Sequence, residues 1–164
     1  INLLGESSVL LGGAGDDSVT ITSASKGYLD GEAGNDSIVI GAGGAISTTL
    51  YGGAGNDLIS IAGGVTSDVL YGGSGNDSFV LSGVVSGTLV DVGDGVDSVL
   101  LSADGAVKEL TLSGSITSTS VTGSNAVDSI LVATTASAAY FDMSGDGRDW
   151  RPAPRSLVVL VQTA

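Results

Sequence analysis

One turn sequence recurs along the first hundred residues at a nearly constant interval, and no other feature restricts the fold as much. Residues 10–21 read LLGGAGDDSVTI, 29–40 LDGEAGNDSIVI, 50–61 LYGGAGNDLISI and 70–81 LYGGSGNDSFVL. The Asp closing each turn stands at Asp17, Asp36, Asp57 and Asp77, spaced 19, 21 and 20 residues apart. A fifth copy, VDVGDGVDSVLL at 90–101, puts Asp97 another 20 residues on, with Val92 and Val96 replacing a Gly and an Asn. A sixth, VTGSNAVDSILV at 121–132, keeps only an apolar frame around Asp128. A fixed period of this length marks a chain wound into stacked, similar coils.

The apolar frame dictates how each coil is built. Seven residues before each Asp stand Leu10, Leu29, Leu50, Leu70, Val90 and Val121; two after it stand Val19, Ile38, Ile59, Phe79, Val99 and Ile130; four after it stand Ile21, Ile40, Ile61, Leu81, Leu101 and Val132. Residues two apart share a face of a strand, so the last two sets point inward together. Stacked at the strand spacing of about 4.8 Å, they form apolar ladders. The expected fold is all-β, a parallel β-solenoid of about 20 residues per coil, with two short strands and two turns in each. Residues 1–101 are expected to form the repeats, and 102–164 degenerate coils with a C-terminal β cap that blunts the open ladders. The opposite turns, at 41–49 and 62–68, vary in length and carry few ligands.

The recurring turn has the chemistry of a hard-cation site. Glycines such as Gly53 and Gly55 permit φ > 0, which turns carbonyl oxygens toward a common point. The closing Asp adds a carboxylate, so one turn offers about three oxygens, half of the six to eight that Ca²⁺ takes. The neighbouring coil supplies the rest, pairing Asp17 with Asp36, Asp36 with Asp57, Asp57 with Asp77, and Asp77 with Asp97. Candidate ligands are Gly12, Gly13, Gly15, Asp16 and Asp17 in the first turn, and Gly31, Gly34, Asn35 and Asp36 in the second. The third contributes Gly52, Gly53, Gly55, Asn56 and Asp57, the fourth Gly72, Gly73, Gly75, Asn76 and Asp77, and the fifth Gly95 and Asp97. Carboxylates stacked about 4.8 Å apart repel by about 1 kcal/mol per pair in water, and by about 3 kcal/mol at an effective dielectric of 20. Gly-Asn-Asp turns also serve as plain tight corners, but corners alone do not require Asp at the last position every time.

Composition narrows the function classes. Eighteen acidic residues, 15 of them Asp, face five basic ones, for a net charge of -13. Such a surface repels phosphate backbones and anionic lipid, so neither nucleic acid nor a membrane surface is an expected partner. The chain has no Cys and no His, which removes most zinc sites, imidazole-activated nucleophiles and the usual general base. No enzymatic activity is expected. No stretch reaches the roughly 18 apolar residues of a membrane span. Ile1 is neither an initiator Met nor the start of a signal peptide, so the chain is expected to be processed or part of something longer.

GGAGND and GGSGND followed by an alternating apolar strand resemble the glycine-rich nonapeptide repeats of the RTX family of secreted bacterial proteins. The resemblance covers roughly residues 5–101. It implies a right-handed parallel β-roll that folds on meeting extracellular Ca²⁺ after type I secretion, with an uncleaved secretion signal at the C-terminus. Two departures stand out. Family members repeat the turn every nine residues and bind ions on both sides of the roll, whereas here one side lacks the row. Glu32 also replaces the second Gly of its turn.

Near the C-terminus, FDMSGDGRDW at 141–150 places Asp142, Ser144 and Asp146 before Gly147, like the first part of an Asp-x-Ser-x-Asp-Gly calcium loop. An acidic, glycine-containing surface turn is the alternative. Pro154 stands where an EF-hand has Glu, and the tail from Leu157 to Val161 reads as a last strand or the apolar end of a secretion signal. Outward strand positions include Val39, Val80 and Leu100, which suggests a packed face. The functional expectation is a non-enzymatic, extracellular, calcium-binding repeat protein that self-assembles as a homo-oligomer, in a surface layer or filament. The alternative is a calcium-folded secretion or stability module of a larger secreted enzyme, toxin or adhesin. Ice binding would need a regular Thr rank, and Thr20, Val39, Ser60, Val80, Leu100 is not one.

Overall fold

The computed structural model describes residues 8–101, 107–114, 120–122, 130–132, 140–142 and 160–161. Within these residues the chain is all-β, a parallel solenoid of about five turns with roughly 20 residues in each. One sheet stacks Val9–Ala14, Tyr28–Ala33, Thr49–Ala54, Val69–Ser74, Val85–Asp91, Val107–Ser113, Ile130–Val132 and Leu160–Val161 in that order. The second stacks Ser18–Ile21, Ser37–Ile40, Leu58–Ile61, Ser78–Leu81, Ser98–Leu101, Ser120–Thr122 and Tyr140–Asp142. The Gly-Asn-Asp turn joins the end of a first-sheet strand to the start of a second-sheet strand in each coil.

The apolar ladders fall where the frame puts them through the fifth copy. Leu10, Leu29, Leu50, Leu70 and Val90 are register partners down the first sheet. Val19, Ile38, Ile59, Phe79 and Val99 stack down the second, beside Ile21, Ile40, Ile61, Leu81 and Leu101. Most of these side chains are fully buried in one continuous core. A fully buried Leu, Ile or Phe contributes about 1.5–3 kcal/mol, so repetition supplies much of the drive to stack.

Two expectations are corrected. Each coil holds a third strand, because Ala24–Ser25, Ala45–Ile46, Val65–Thr66 and the beginning of Val85–Asp91 pair along the opposite edge. Their inward residues Ala24, Ala45, Val65 and Val85 form a further buried ladder. The second correction concerns the sixth copy. Val121 pairs with Val99 in the second sheet, and Val132 pairs with Leu112 in the first, where Leu112 itself partners Val90. Its frame therefore lies half a coil out of phase with the one read from the sequence. The strands beyond residue 101 extend the same two sheets.

On the outer face of the first sheet the rings of Tyr51 and Tyr71 stack at 4.5 Å with 10° between their planes. Tyr28 lies 5.3 Å from Tyr51, tilted by 42°, and its hydroxyl donates to Asp30 Oδ2 at 2.8 Å.

Candidate metal centre

The turn glycines bend the chain as the sequence requires: φ is 117° at Gly53 and 139° at Gly55, in the region that side chains resist. Glu32 occupies the place of Gly53 in its own coil and adopts φ 70°. A non-glycine residue there stores about 1–2 kcal/mol of strain. Its N–H donates to Asp30 Oδ1 at 3.0 Å.

With the chain turned in this way, the closing aspartates point into the solenoid. Asp36, Asp57, Asp77 and Asp97 are 2–3% exposed. Each uses Oδ1 to tie coils together: the backbone N–H of Asp36 donates to Asp57 Oδ1 at 2.8 Å, that of Asp57 to Asp77 Oδ1 at 2.9 Å, and that of Asp77 to Asp97 Oδ1 at 2.9 Å. The Asp17 N–H likewise reaches Asp36 Oδ1 at 2.7 Å. The second oxygen, Oδ2, is buried and without a hydrogen-bond partner in all four. A buried acceptor left unpaired costs about 1–3 kcal/mol, and more when charged.

What the Oδ2 of Asp36, Asp57 and Asp77 faces is set by the first glycine of its turn. A Cβ built on Gly52 would sit 2.5 Å from Asp57 Oδ2 and 2.7 Å from the carbonyl oxygen of Gly72, one coil on. Gly31 stands in the same relation to Asp36 and the Gly52 carbonyl, and Gly72 to Asp77 and the Val92 carbonyl. At Gly12 the corresponding atoms are Gly31 O at 2.6 Å and Asp17 Oδ2 at 2.9 Å. None of these first glycines has a positive φ, so here space and not backbone freedom demands glycine. The result is a repeated close approach: a carboxylate oxygen of the turn and a carbonyl oxygen of the next coil both lie against the bare Cα of a glycine.

The sequence-derived ligands divide. The aspartate carboxylates and the carbonyls of Gly31, Gly52 and Gly72 converge. The glycines at the second and fourth positions of the turn, such as Gly13, Gly15, Gly34, Gly73, Gly75 and Gly95, shape it through positive φ. The Asn residues are engaged elsewhere. Asn35 N–H and Nδ2 donate to Asp16 Oδ1 at 2.7 and 3.1 Å, and Asn56 N–H and Nδ2 donate to Asn35 Oδ1 at 2.9 and 3.3 Å. The N–H groups of Asn76 and Val96 continue this exposed ladder onto Asn56 and Asn76. Burial also grades the row differently from sequence quality. Asp17, in a well-formed copy, is only half-buried, whereas Asp97, in a degenerate one, is buried with its Oδ1 bonded and its Oδ2 unpartnered. The loop of Asp142, Ser144 and Asp146 lies outside the described residues, apart from the backbone of Asp142 at the end of its strand.

The electrostatics follow from this enclosure. Burial pushes the carboxyl of Asp77 up to about 6, against the lowering effect of the Asp57 N–H it accepts. Burial also raises Asp57 and Asp97, again opposed by the hydrogen bond each receives. Among the described residues no three acidic side chains converge as a metal-binding group, so a cation here would draw its remaining ligands from the backbone. One buried carboxylate outside the row went unread in the sequence. Asp68, on the opposite edge, is 1% exposed, and burial pushes it up to about 6. It accepts from Thr48 N–H at 2.6 Å and Thr66 N–H at 2.7 Å, so both its oxygens are satisfied.

No family model, curated protein or solved structure matches the chain significantly. Among the described residues no helix is long and apolar enough to cross a membrane.

Proposed function

We propose that the chain is a non-enzymatic, extracellular repeat protein whose coils are locked by Ca²⁺ held between consecutive turns. The observation that carries this reading is the row of buried, unpartnered Oδ2 atoms, of which those of Asp36, Asp57 and Asp77 each lie beside a carbonyl of the next coil and the bare Cα of a glycine. A row of like charges without a cation is a defect repeated in every coil; with one, it is a ligand set. Oxygen-only donors suit a hard cation, and the absence of His and Cys argues against softer metals. Bound Ca²⁺ supplies the positive charge that the stacked carboxylates lack.

The chain's own groups do the rest. Oδ1 fixes each carboxylate against the preceding coil, the glycines at the second and fourth positions of the turn aim the backbone, and the apolar ladders hold neighbouring turns in register. One free carboxylate oxygen together with neutral carbonyls in each gap makes a site of the weaker kind, matched to the high calcium level outside cells. Outward Val39, Val80 and Leu100, the last 41% exposed, support lateral self-assembly into a layer or filament as the role of the locked roll. Electron microscopy with and without Ca²⁺ checks that part: assemblies that dissolve in chelator are expected.

Circular dichroism in EDTA and in millimolar Ca²⁺ tests the core of the reading. A gain of β structure and a higher melting temperature in Ca²⁺ are expected. Identical spectra and melting in both would sink it.

A further inference from the structure

We propose that the outer face of the second sheet is a self-complementary contact surface, on which a second copy of the chain docks with its solenoid axis parallel and its coils level. The inference rests on the lateral self-assembly of the preceding section and supplies the surface and the geometry for it.

Charge selects the face. The chain carries a net charge of -13, so two copies meet closely only where that charge is absent. Burial alternates along Ser18–Ile21, Ser37–Ile40, Leu58–Ile61, Ser78–Leu81 and Ser98–Leu101, leaving two outward side chains on each strand. All of these are Ser, Thr, Val or Leu, and none is charged. The outer face of the first sheet carries Asp30 and Asp91 instead, and pressing those against a like-charged copy is unfavourable.

Side-chain size selects the geometry. In coils two to five, one outward position is large and apolar and the other is Ser. The large residue comes second in the pair Ser37 and Val39, and first in Leu58 and Ser60. It comes second again in Ser78 and Val80, and in Ser98 and Leu100. A twofold axis parallel to the solenoid axis sets equal coils opposite each other with their strands antiparallel, so the first outward position of a coil meets the second of its mate. Every Val or Leu then faces a Ser, which keeps two packed sheets evenly separated. Leu58 also falls between the partner's Val39 and the partner's Val80, one coil away on either side, so the apolar groups of both copies form one row. A twofold axis along the strands would set Leu58 on Leu58 and Ser60 on Ser60, leaving a gap beside each large pair. Because a twofold contact closes on itself, the pair is the building unit, and a layer or filament grows from its other surfaces.

Sedimentation of the full chain in millimolar Ca²⁺ over a range of concentrations reads the association, with circular dichroism to confirm folding. Val80→Asp puts a charge within the face and should weaken dimerisation by about tenfold or more. Leu11→Asp, at an exposed apolar position of the first sheet, should leave it unchanged. Cross-linking reads the geometry, and the absence of Cys makes an introduced thiol unique. With a short bis-maleimide, Ser18→Cys alone and Ser98→Cys alone should each give covalent dimers. A mixture of the two should give no links between position 18 and position 98, which lie four coils, about 19 Å, apart. Links found only between those two positions overturn the proposal, as does association indifferent to Val80→Asp, and both results leave lateral self-assembly standing. Should Val80→Asp not fold, the cross-links decide. A wild type that stays monomeric at every concentration overturns the proposal and lateral self-assembly together, while the calcium reading is decided separately by the comparison with chelator.

Discussion

Asp57 at one edge of the solenoid and Asp68 at the other are both almost wholly buried, and both accept a backbone N–H from the preceding coil through Oδ1. They part at the second oxygen. Asp68 Oδ2 takes the N–H of Thr66 in its own coil, and Thr48 and Thr88, buried at neighbouring coil positions, carry no charge. Asp57 Oδ2 has no partner and belongs to a row of four such atoms. Burial alone therefore does not mark a metal site, and neither does a raised carboxyl pKa. What distinguishes the two edges is repetition of charge together with a repeated unmet acceptor.

Substitution at Asp57 should separate the edges most widely. Asp57→Ala in Ca²⁺ is expected to lose about 4 kcal/mol, roughly 10 °C of melting temperature, because the Asp36 N–H is orphaned and a ligand is lost. In chelator the loss should be much smaller, since an unpaired buried charge disappears as well. Asp57→Asn should even change sign: its amide keeps an acceptor for Asp36 and offers a donor toward the Gly72 carbonyl, raising the melting temperature in chelator and lowering it in Ca²⁺. Equal shifts in the two conditions would break the comparison.

Asp68→Ala is the matching change at the other edge. It strands the N–H groups of Thr48 and Thr66, for a loss of about 2–4 kcal/mol. Melting followed by circular dichroism should give the same loss in Ca²⁺ and in chelator. A calcium-dependent loss would place Asp68 among the ligands.

The smallest expected effect is that of pH. Asp77 and Asp68 have folded-state pKa values raised to about 6 from 3.8. A carboxyl raised by folding favours the folded state below its unfolded pKa, and that advantage is lost as pH rises through the folded value. In chelator the melting temperature should thus fall by a few degrees between about pH 4 and 6, then level off. In Ca²⁺ the trend should reverse across the same window, because the ligands bind only when ionised. Asp68→Asn should remove its share of the chelator slope and leave the calcium response intact.

How much of this was legible depended on the glycine signature. Where Gly-Asn-Asp is present, it fixes which corner of the coil a residue occupies, and Leu10 to Leu101 were placed in the correct ladders. Where it decays, both sheets offer the same alternating apolar pattern, and Val121 and Val132 were assigned to each other's side. The third strand was hidden for a related reason. Two inward residues as small as Ala24 or Ala45 in a serine- and glycine-rich stretch look like loop. Asp68 was invisible because one buried aspartate has no repeat to announce it. Asp97 shows the opposite failing: Val92 and Val96 made its turn look poor, yet its backbone conformation and Oδ1 bond depend on neither side chain. The roll itself and the Asp row were readable; the inward aim of the carboxylates and the phase of the last coils needed three dimensions.

The two polar ladders of the Gly-Asn-Asp edge run in opposite senses. Aspartate side chains accept from the coil before them, as Asp57 does from Asp36, while asparagine side chains accept from the coil after them, as Asn35 does from Asn56. Glycine-rich strands are ordinarily prone to slip along one another. Here a one-residue slip of any coil pulls adjacent residues off partners on both sides at once, so neither neighbour can follow it to preserve the bonds. The edge with the least side-chain bulk thereby becomes a latch against sliding, and the stack keeps its alignment even where apolar packing is indifferent to which identical residue it meets.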